Sequence, residues 1–312
     1  MSDRDLLPQL SGGTFITDGG METTLIFDDG IDLPHFASFV LLDDAKGIEA
    51  LRAYYKTYVE VAAQYGVGIV LDTPTWRANP DWGALLGYSS EALADIDRRG
   101  VTLLEELRST AGNGAPQVVI SGCIGPRGDG YRVDSEMTAE EAQRYHERQV
   151  VTFAATAADL VSAYTLTYAD EAVGVARAGE AAGIPCVISF TVETDGRLPS
   201  GQPLGKAIEE VDAKTQGSVA YFMINCAHPT HFAHVLEEGG DWRSRIWGLR
   251  ANASEKSHTE LDEAEELDPG DPAALACHYS ELQTRLPNLN VVGGCCGTSH
   301  RHVAEICAAV TA

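Results

Sequence analysis

Short apolar runs alternate with longer amphipathic stretches about eight times along the chain. Residues 14–18, 68–72, 117–122, 159–164, 186–191, 221–226, 245–250 and 290–294 read as strands. Each is apolar almost throughout rather than alternating, the pattern of parallel strands buried on both faces. The stretches between them keep a helical period. Residues 45–65 place Ile48, Leu51, Tyr55, Tyr58, Val59 and Ala62 at three- and four-residue spacings. Thr138 followed by Glu141 is a capping box that opens a helix reaching about residue 158. A helix over 170–183 stops at a glycine followed by Ile184-Pro185, and helices over 271–286 and 299–310 complete the set. Strand and helix repeated eight times without a linker predict a closed α/β architecture, a single-domain (β/α)8 TIM barrel over residues 1–312. An open doubly wound sheet is the alternative, but no glycine-rich phosphate fingerprint follows the first strand.

Two segments exceed what the alternation needs: 74–88 after strand 2, with Trp76 and Trp82, and 196–203 after strand 5. Both follow the C-terminal ends of strands, where barrel enzymes build their sites. The cysteines fall on the same face. Cys226 ends strand 6, and Cys295 and Cys296 end strand 8. Successive side chains of a strand point to opposite faces, so adjacent cysteines share one ion only where the strand stops and turns. Gly293, Gly294 and Gly297 frame that turn. Three thiolates favour zinc and leave a fourth tetrahedral position open for a substrate thiol, which the metal would hold deprotonated. The competing reading is that these cysteines are small buried hydrophobes, since the CxxC spacing of a structural zinc site is missing.

Composition narrows the class. The 312 residues carry 22 basic and 46 acidic side chains, a net of −24, with 44% hydrophobic content. That balance excludes a nucleic-acid or anionic-membrane surface, and the acidic run 255–271 reads as a solvated face. No run is long and apolar enough for a membrane span, and the first residues lack a signal-peptide core, so a cytoplasmic protein is expected. The oligomeric state is left open, with a homo-oligomer compatible with the pattern.

Gly293-Gly-Cys-Cys-Gly-Thr298, Asn225-Cys226, Asp18-Gly-Gly20 and Ser121-Gly-Cys-Ile-Gly-Pro126 resemble, in order, motifs of the homocysteine S-methyltransferase family. The resemblance implies a zinc (β/α)8 barrel in which Cys226, Cys295 and Cys296 hold Zn2+. It also implies a small cationic donor, sulfonium or quaternary ammonium (S-methylmethionine, S-adenosylmethionine or betaine). The methyl group would pass to homocysteine thiolate, giving methionine. Asp18 matches the family aspartate beside the amino-acid substrate, with Gly19 giving close backbone approach. Ser189 and Thr191 are expected to donate to a substrate carboxylate, and Asn225 to orient a cysteine. Trp76, Trp82 and Tyr88 are expected to offer aromatic faces to the onium donor.

Two departures bear on the acceptor. The family glutamate near the end of strand 4 is replaced by Tyr164, whose phenol is neutral near pH 7. Around Asp72-Thr-Pro-Thr-Trp76 the family's strand 2 ending is also altered. Glu22 is the residue placed to compensate. The same zinc chemistry on a different thiol or selenol acceptor is therefore a second reading. A hydrolase using zinc-bound water ranks lower, because three thiolates make that water a poor acid. A non-enzymatic zinc-binding or thiol-sensing barrel is a further reading. His228, His231, His300 and His302 flank the cysteines, but the pattern favours surface or capping roles for them over ligation.

Overall fold

The apolar runs fold as eight parallel strands paired in chain order, with the last closing on the first. The computed structural model describes residues 7–110, 116–133, 135–264 and 266–311. The strands are β1 (Phe15–Ile16), β2 (Gly68–Asp72), β3 (Val118–Ile124), β4 (Leu160–Leu166), β5 (Cys186–Phe190), β6 (Tyr221–Asn225), β7 (Ile246–Ala251) and β8 (Val291–Gly294). The main helices are α1 (Ala45–Tyr65), α2 (Ser90–Thr110), α3 (Ala139–Ala154), α4 (Ala169–Ala182), α5 (Leu204–Thr215), the short α6 (Pro229–Phe232), α7 (Pro272–Gln283) and α8 (His300–Thr311). The expected closed barrel is what forms.

Uniform burial of the strands hides a period of two. Phe15, Val70, Val119, Leu160, Val187, Tyr221, Met223 and Val291 meet inside the barrel. Their neighbours Ile69, Leu71, Ile120, Ile124 and Ile188 pack outward on the helices. Gly122 lies on that outer face, where an added methyl would collide with the Phe153 ring of α3. Toward the C-terminal ends the inward positions turn polar: Asp72, Ser121, Ser162, Tyr164, Ser189, Asn225 and Arg250, all buried. The other end is plugged by Leu7 and by Gln9, whose Nε2 donates to Tyr221 Oη at 3.3 Å.

Local chemistry sets the helix ends. Asp44 caps α1 by accepting from the amides of Lys46 and Gly47, and Gly66 ends it at φ 65°. The Thr138–Glu141 capping box forms reciprocally at the start of α3. The segment 74–88 is not featureless: it contains a short helix, Pro80–Leu85, capped by Asn79.

Helix α7 fixes the relation of the last two strands. Tyr279 Oη accepts from Ala251 N at 2.9 Å and donates to the Gly293 carbonyl at 2.5 Å, two residues before Cys295. The phenol is fully buried. Tyr279→Phe removes both of these contacts and leaves β7 and β8 joined there by their strand pairing alone. It is expected to lower the unfolding free energy by about 1–3 kcal/mol in urea titration; an unchanged midpoint would mean the hydroxyl ties nothing.

Candidate functional site

The three cysteines converge at the C-terminal mouth. Their sulfurs all lie within 4.8 Å of one another, and among the described residues no other His, Cys, Asp or Glu group of three is so placed. Cys226 Sγ stands 2.6 Å from Cys295 Sγ and 3.6 Å from Cys296 Sγ. Two different backbone devices bring them there. Cys226 leaves β6 with φ 55°, a left-handed conformation that is uncommon for a residue with a side chain. Its amide and carbonyl are gripped: Cys226 N donates to Arg250 O, and Cys226 O accepts from Asn252 Nδ2 at 3.0 Å and from His258 Nε2 at 2.7 Å. The adjacent pair turns at Gly297, φ 78°. Gly293 and Gly294 serve a different purpose from conformational freedom: a methyl on either would strike Thr17 or Thr298.

A tyrosine and a histidine cover the sulfurs. Tyr131, from the loop after β3, places its hydroxyl 3.5 Å from both Cys226 Sγ and Cys296 Sγ. Its ring stacks on His258 with centroids 4.0 Å apart. His258 Nδ1 faces Glu193 at 3.2 Å. Asn225 is buried beside the sulfurs. Its Nδ2 reaches 4.0 Å from Cys295 Sγ rather than its neighbour's sulfur, while its Oδ1 accepts from Ser189 Oγ and Thr165 N. Thr165 has φ 61° at a register shift between β4 and β5, which re-aims that strand end into the mouth.

The second half of the site is an ionic cluster around Arg250. Its guanidinium donates to Asp18 Oδ1, to Asp72 Oδ2 at 2.6 Å, to the Gly19 carbonyl at 3.2 Å and, through Nε, to the Gly294 carbonyl at 3.0 Å. Tyr54 donates to the other oxygen of Asp18, and Tyr164 Oη donates to Asp72 Oδ2 at 2.9 Å. The second oxygen of Asp72 is buried without a partner. One cation thus faces two buried carboxylates. Burial pushes the Asp18 carboxyl up to about 7, Arg250 pulls against that, and Asp72 pushes further up. Burial raises Asp72 too. Arg250 went unnoticed in the sequence. The available signal was a basic residue ending an apolar strand.

Above both clusters opens a cavity of about 470 Å³, reached by Asp18, Glu22, Asp72, Tyr164, Asn225 and all three cysteines. Glu22 accepts from Ser38 Oγ at 2.7 Å. Residues 255–271 are not simply a solvated face: Leu261, Asp262, Glu266 and Asp268 form one cavity wall. Ser189 and Thr191 are fully buried and do not border the cavity. Their hydroxyls are committed to Asn225 and to the Cys226 carbonyl, so the structure gives them supporting contacts in place of a substrate carboxylate. Gly19 likewise contributes its carbonyl to Arg250 and is packed beneath Tyr58 and Thr298. Tyr88 is turned away, bonded to Asp43 and edge-on to Phe39. Trp76 and Trp82 border the cavity, but their faces are taken by Arg77, at 4.1 and 4.0 Å from the ring centroids. Of the four flanking histidines, His228 caps α6, His231 bonds the Glu255 carbonyl, His302 bonds the Pro269 carbonyl, and His300 is exposed.

Fold and site together define a (β/α)8 barrel with a three-sulfur centre beside a buried carboxylate–arginine cluster. The family model for homocysteine S-methyltransferase matches residues 15–310. Homocysteine S-methyltransferase 4 of Zea mays is 25% identical over 96% of this chain and 90% of that protein. Methionine synthase of Mycobacterium tuberculosis is 26% identical over 99% of this chain, which spans 25% of that protein. The metallated form of the homocysteine methyltransferase MmuM from Escherichia coli superposes with a TM-score of 0.75 at 21% identity, covering 95% of this chain and 96% of that one. The chain belongs to the homocysteine S-methyltransferase family.

Two measurements probe the ionic cluster. Arg250→Met leaves Asp18 and Asp72 facing each other in the interior and is expected to destabilise the fold by roughly 3–5 kcal/mol in urea titration. The raised carboxyl of Asp18 binds a proton in the folded state that the unfolded chain has already released. Its contribution is full below the ordinary pKa of 3.8 and is lost as pH rises through about 7. Asp18→Asn is therefore expected to flatten the fall in stability between those values; an unaltered slope would assign the effect elsewhere.

Proposed function

We propose that this protein transfers a methyl group from a small sulfonium or quaternary ammonium donor to the thiol of homocysteine, with zinc held by Cys226, Cys295 and Cys296. The observation that carries the reading is the trio of sulfurs bordering a cavity with an acidic wall. A donor set of sulfur alone suits zinc over harder cations. The 3.6 Å separation of Cys226 and Cys296 is near the ~3.8 Å edge of a zinc–thiolate tetrahedron, and the 2.6 Å pair has to open by about an ångström to share an ion. Zinc, when bound, would keep an acceptor thiol ionised near neutral pH.

The chain's own residues do the rest. Asp18 and Asp72 border the cavity and offer carboxylate oxygens to the acceptor's ammonium, and Glu22 adds a third. Asn225 and His258 keep the sulfurs in place through Cys295 Sγ and the Cys226 carbonyl. The acidic wall at Asp262, Glu266 and Asp268 draws the cationic donor. In the transfer, a lone pair of the acceptor sulfur forms the new S–CH3 bond. The donor's C–S or C–N bond breaks with its electron pair staying on the donor heteroatom, which becomes neutral. No further reactant is needed, so alignment of the two substrates supplies much of the rate.

A second acceptor reading rests on Tyr164. It stands where the family glutamate is expected, and its hydroxyl is committed to Asp72, so one counter-charge for an amino-acid acceptor is exchanged for a neutral phenol. A different thiol, or a selenol, fits the same site. A thiol-sensing barrel without turnover is the remaining reading.

A screen of onium donors against several thiols separates these readings. Methylated homocysteine as the main product supports the first, preference for another acceptor supports the second, and no transfer with any pair overturns both. For the metal, Cys296→Ala is expected to reduce zinc from about one per chain to well below half by elemental analysis; full retention removes Cys296 from the ligand set.

A further inference from the structure

Two arginines border the cavity, and their situations differ. Arg250 is saturated by two carboxylates and two carbonyls. Arg77 is just as buried, 8% exposed, and among the described residues it forms no ion pair. Its one hydrogen bond runs from Nη1 to the Gly128 carbonyl at 3.1 Å, and its Nε is buried without an acceptor. Asp129 and Glu22 act on it only through space. Asp129 is engaged by the Tyr131 amide and Glu22 by Ser38. Burial pushes the guanidinium down to about 10, still charged at neutral pH. Trp76 and Trp82 clamp it on both faces, which leaves the edge of the guanidinium as the part free to bind. A buried, unpaired, pre-positioned cation is costly unless something pairs with it.

We propose that Arg77 is a specificity-determining residue that receives a substrate carboxylate. The geometry favours the donor as its bearer: a zwitterionic molecule with an onium centre and a carboxylate. The proposal rests on the methyl-transfer reading. An acceptor with its sulfur at the cysteines and its ammonium at Asp18 and Asp72 fills the floor of the mouth. Arg77 instead lies on the loop after β2, beside the half-buried Trp82 and, through it, His35 at the rim. There the onium end meets the acidic wall while the carboxylate accepts from the Nη–H groups, Nη2 above all, which carries no hydrogen bond among the described residues. The two tryptophans hold Arg77 in place rather than holding the onium group themselves.

Titration of tryptophan fluorescence tests this without turnover, because two of the four tryptophans touch Arg77. The probes are dimethylsulfoniopropionate against its methyl ester, and homocysteine against its methyl ester. Esterification leaves a more cationic molecule, which the acidic cavity alone would bind more tightly. The wild-type protein is expected to bind the free-acid donor about 10- to 100-fold more tightly than the ester, the range for a charge-assisted hydrogen-bonded pair. Arg77→Met is expected to erase that preference while keeping the unfolding midpoint. A preference confined to homocysteine would place the carboxylate on the acceptor instead. No acid-over-ester preference for either molecule in the wild-type protein overturns the proposal whether or not the variant folds, and so does a preference that survives in Arg77→Met. Failure of the methyl-transfer reading shows separately, as absence of methylated product from every thiol.

Discussion

The mouth of this barrel is organised by one guanidinium shared between two buried carboxylates. Arg250 leaves β7 and reaches Asp18 beyond β1, Asp72 at the end of β2 and the Gly294 carbonyl of β8. It therefore ties the closing seam of the barrel to the strand beyond it. A single cation cannot fully compensate two carboxylates removed from water, so the cluster keeps a strong demand for one more positive charge or a proton. That unmet demand lies at the floor of the cavity, where an ammonium group would answer it. On the proposed reading, stability and substrate recognition draw on the same three side chains.

The sulfur cluster depends on that frame. Cys226 follows the strand position that pairs with Arg250, and its amide donates to the Arg250 carbonyl. Cys295 follows Gly294, the residue whose carbonyl Arg250 holds. Tyr279 locks the same two strands from the helix side. The left-handed turn at Cys226 is sustained by four contacts to its carbonyl and amide, among them the hydroxyl of Thr191 just after β5 and the buried imidazole of His258. Strain at one residue is thus offset by a network drawn from β5, β7 and the segment after it.

Both signs of charge line the cavity. Asp262, Glu266 and Asp268 border it together with the carboxylate–arginine cluster and with Arg77, whose guanidinium forms no ion pair among the described residues. A molecule carrying both signs matches this distribution better than a simple cation does. The Tyr164 phenol on β4 donates to Asp72, so at this point of the mouth the negative charge is presented from β2.

What the sequence determined by itself was whatever depends on neighbours along the chain. The apolar runs, the capping box at Thr138 and the stop at Gly183 specified strands, helices and their alternation, and the alternation specified a barrel. The cysteine pair within glycines and Asn225-Cys226 marked the chemistry, because strand ends in a parallel barrel share one face. Tertiary structure decided everything that depends on direction. Ser189 and Thr191 were read as facing a substrate, yet their hydroxyls turn to Asn225 and the Cys226 carbonyl. Trp76 and Trp82 were read as faces for a ligand, yet a residue adjacent to one of them, Arg77, lies between them. Tyr131 and His258 gave no local signal, and Arg250 only that of a basic residue ending an apolar strand, since each acts on partners tens to hundreds of positions away. A period in sequence fixes which face a residue occupies, but only the closed barrel fixes which side chain finds which partner across it.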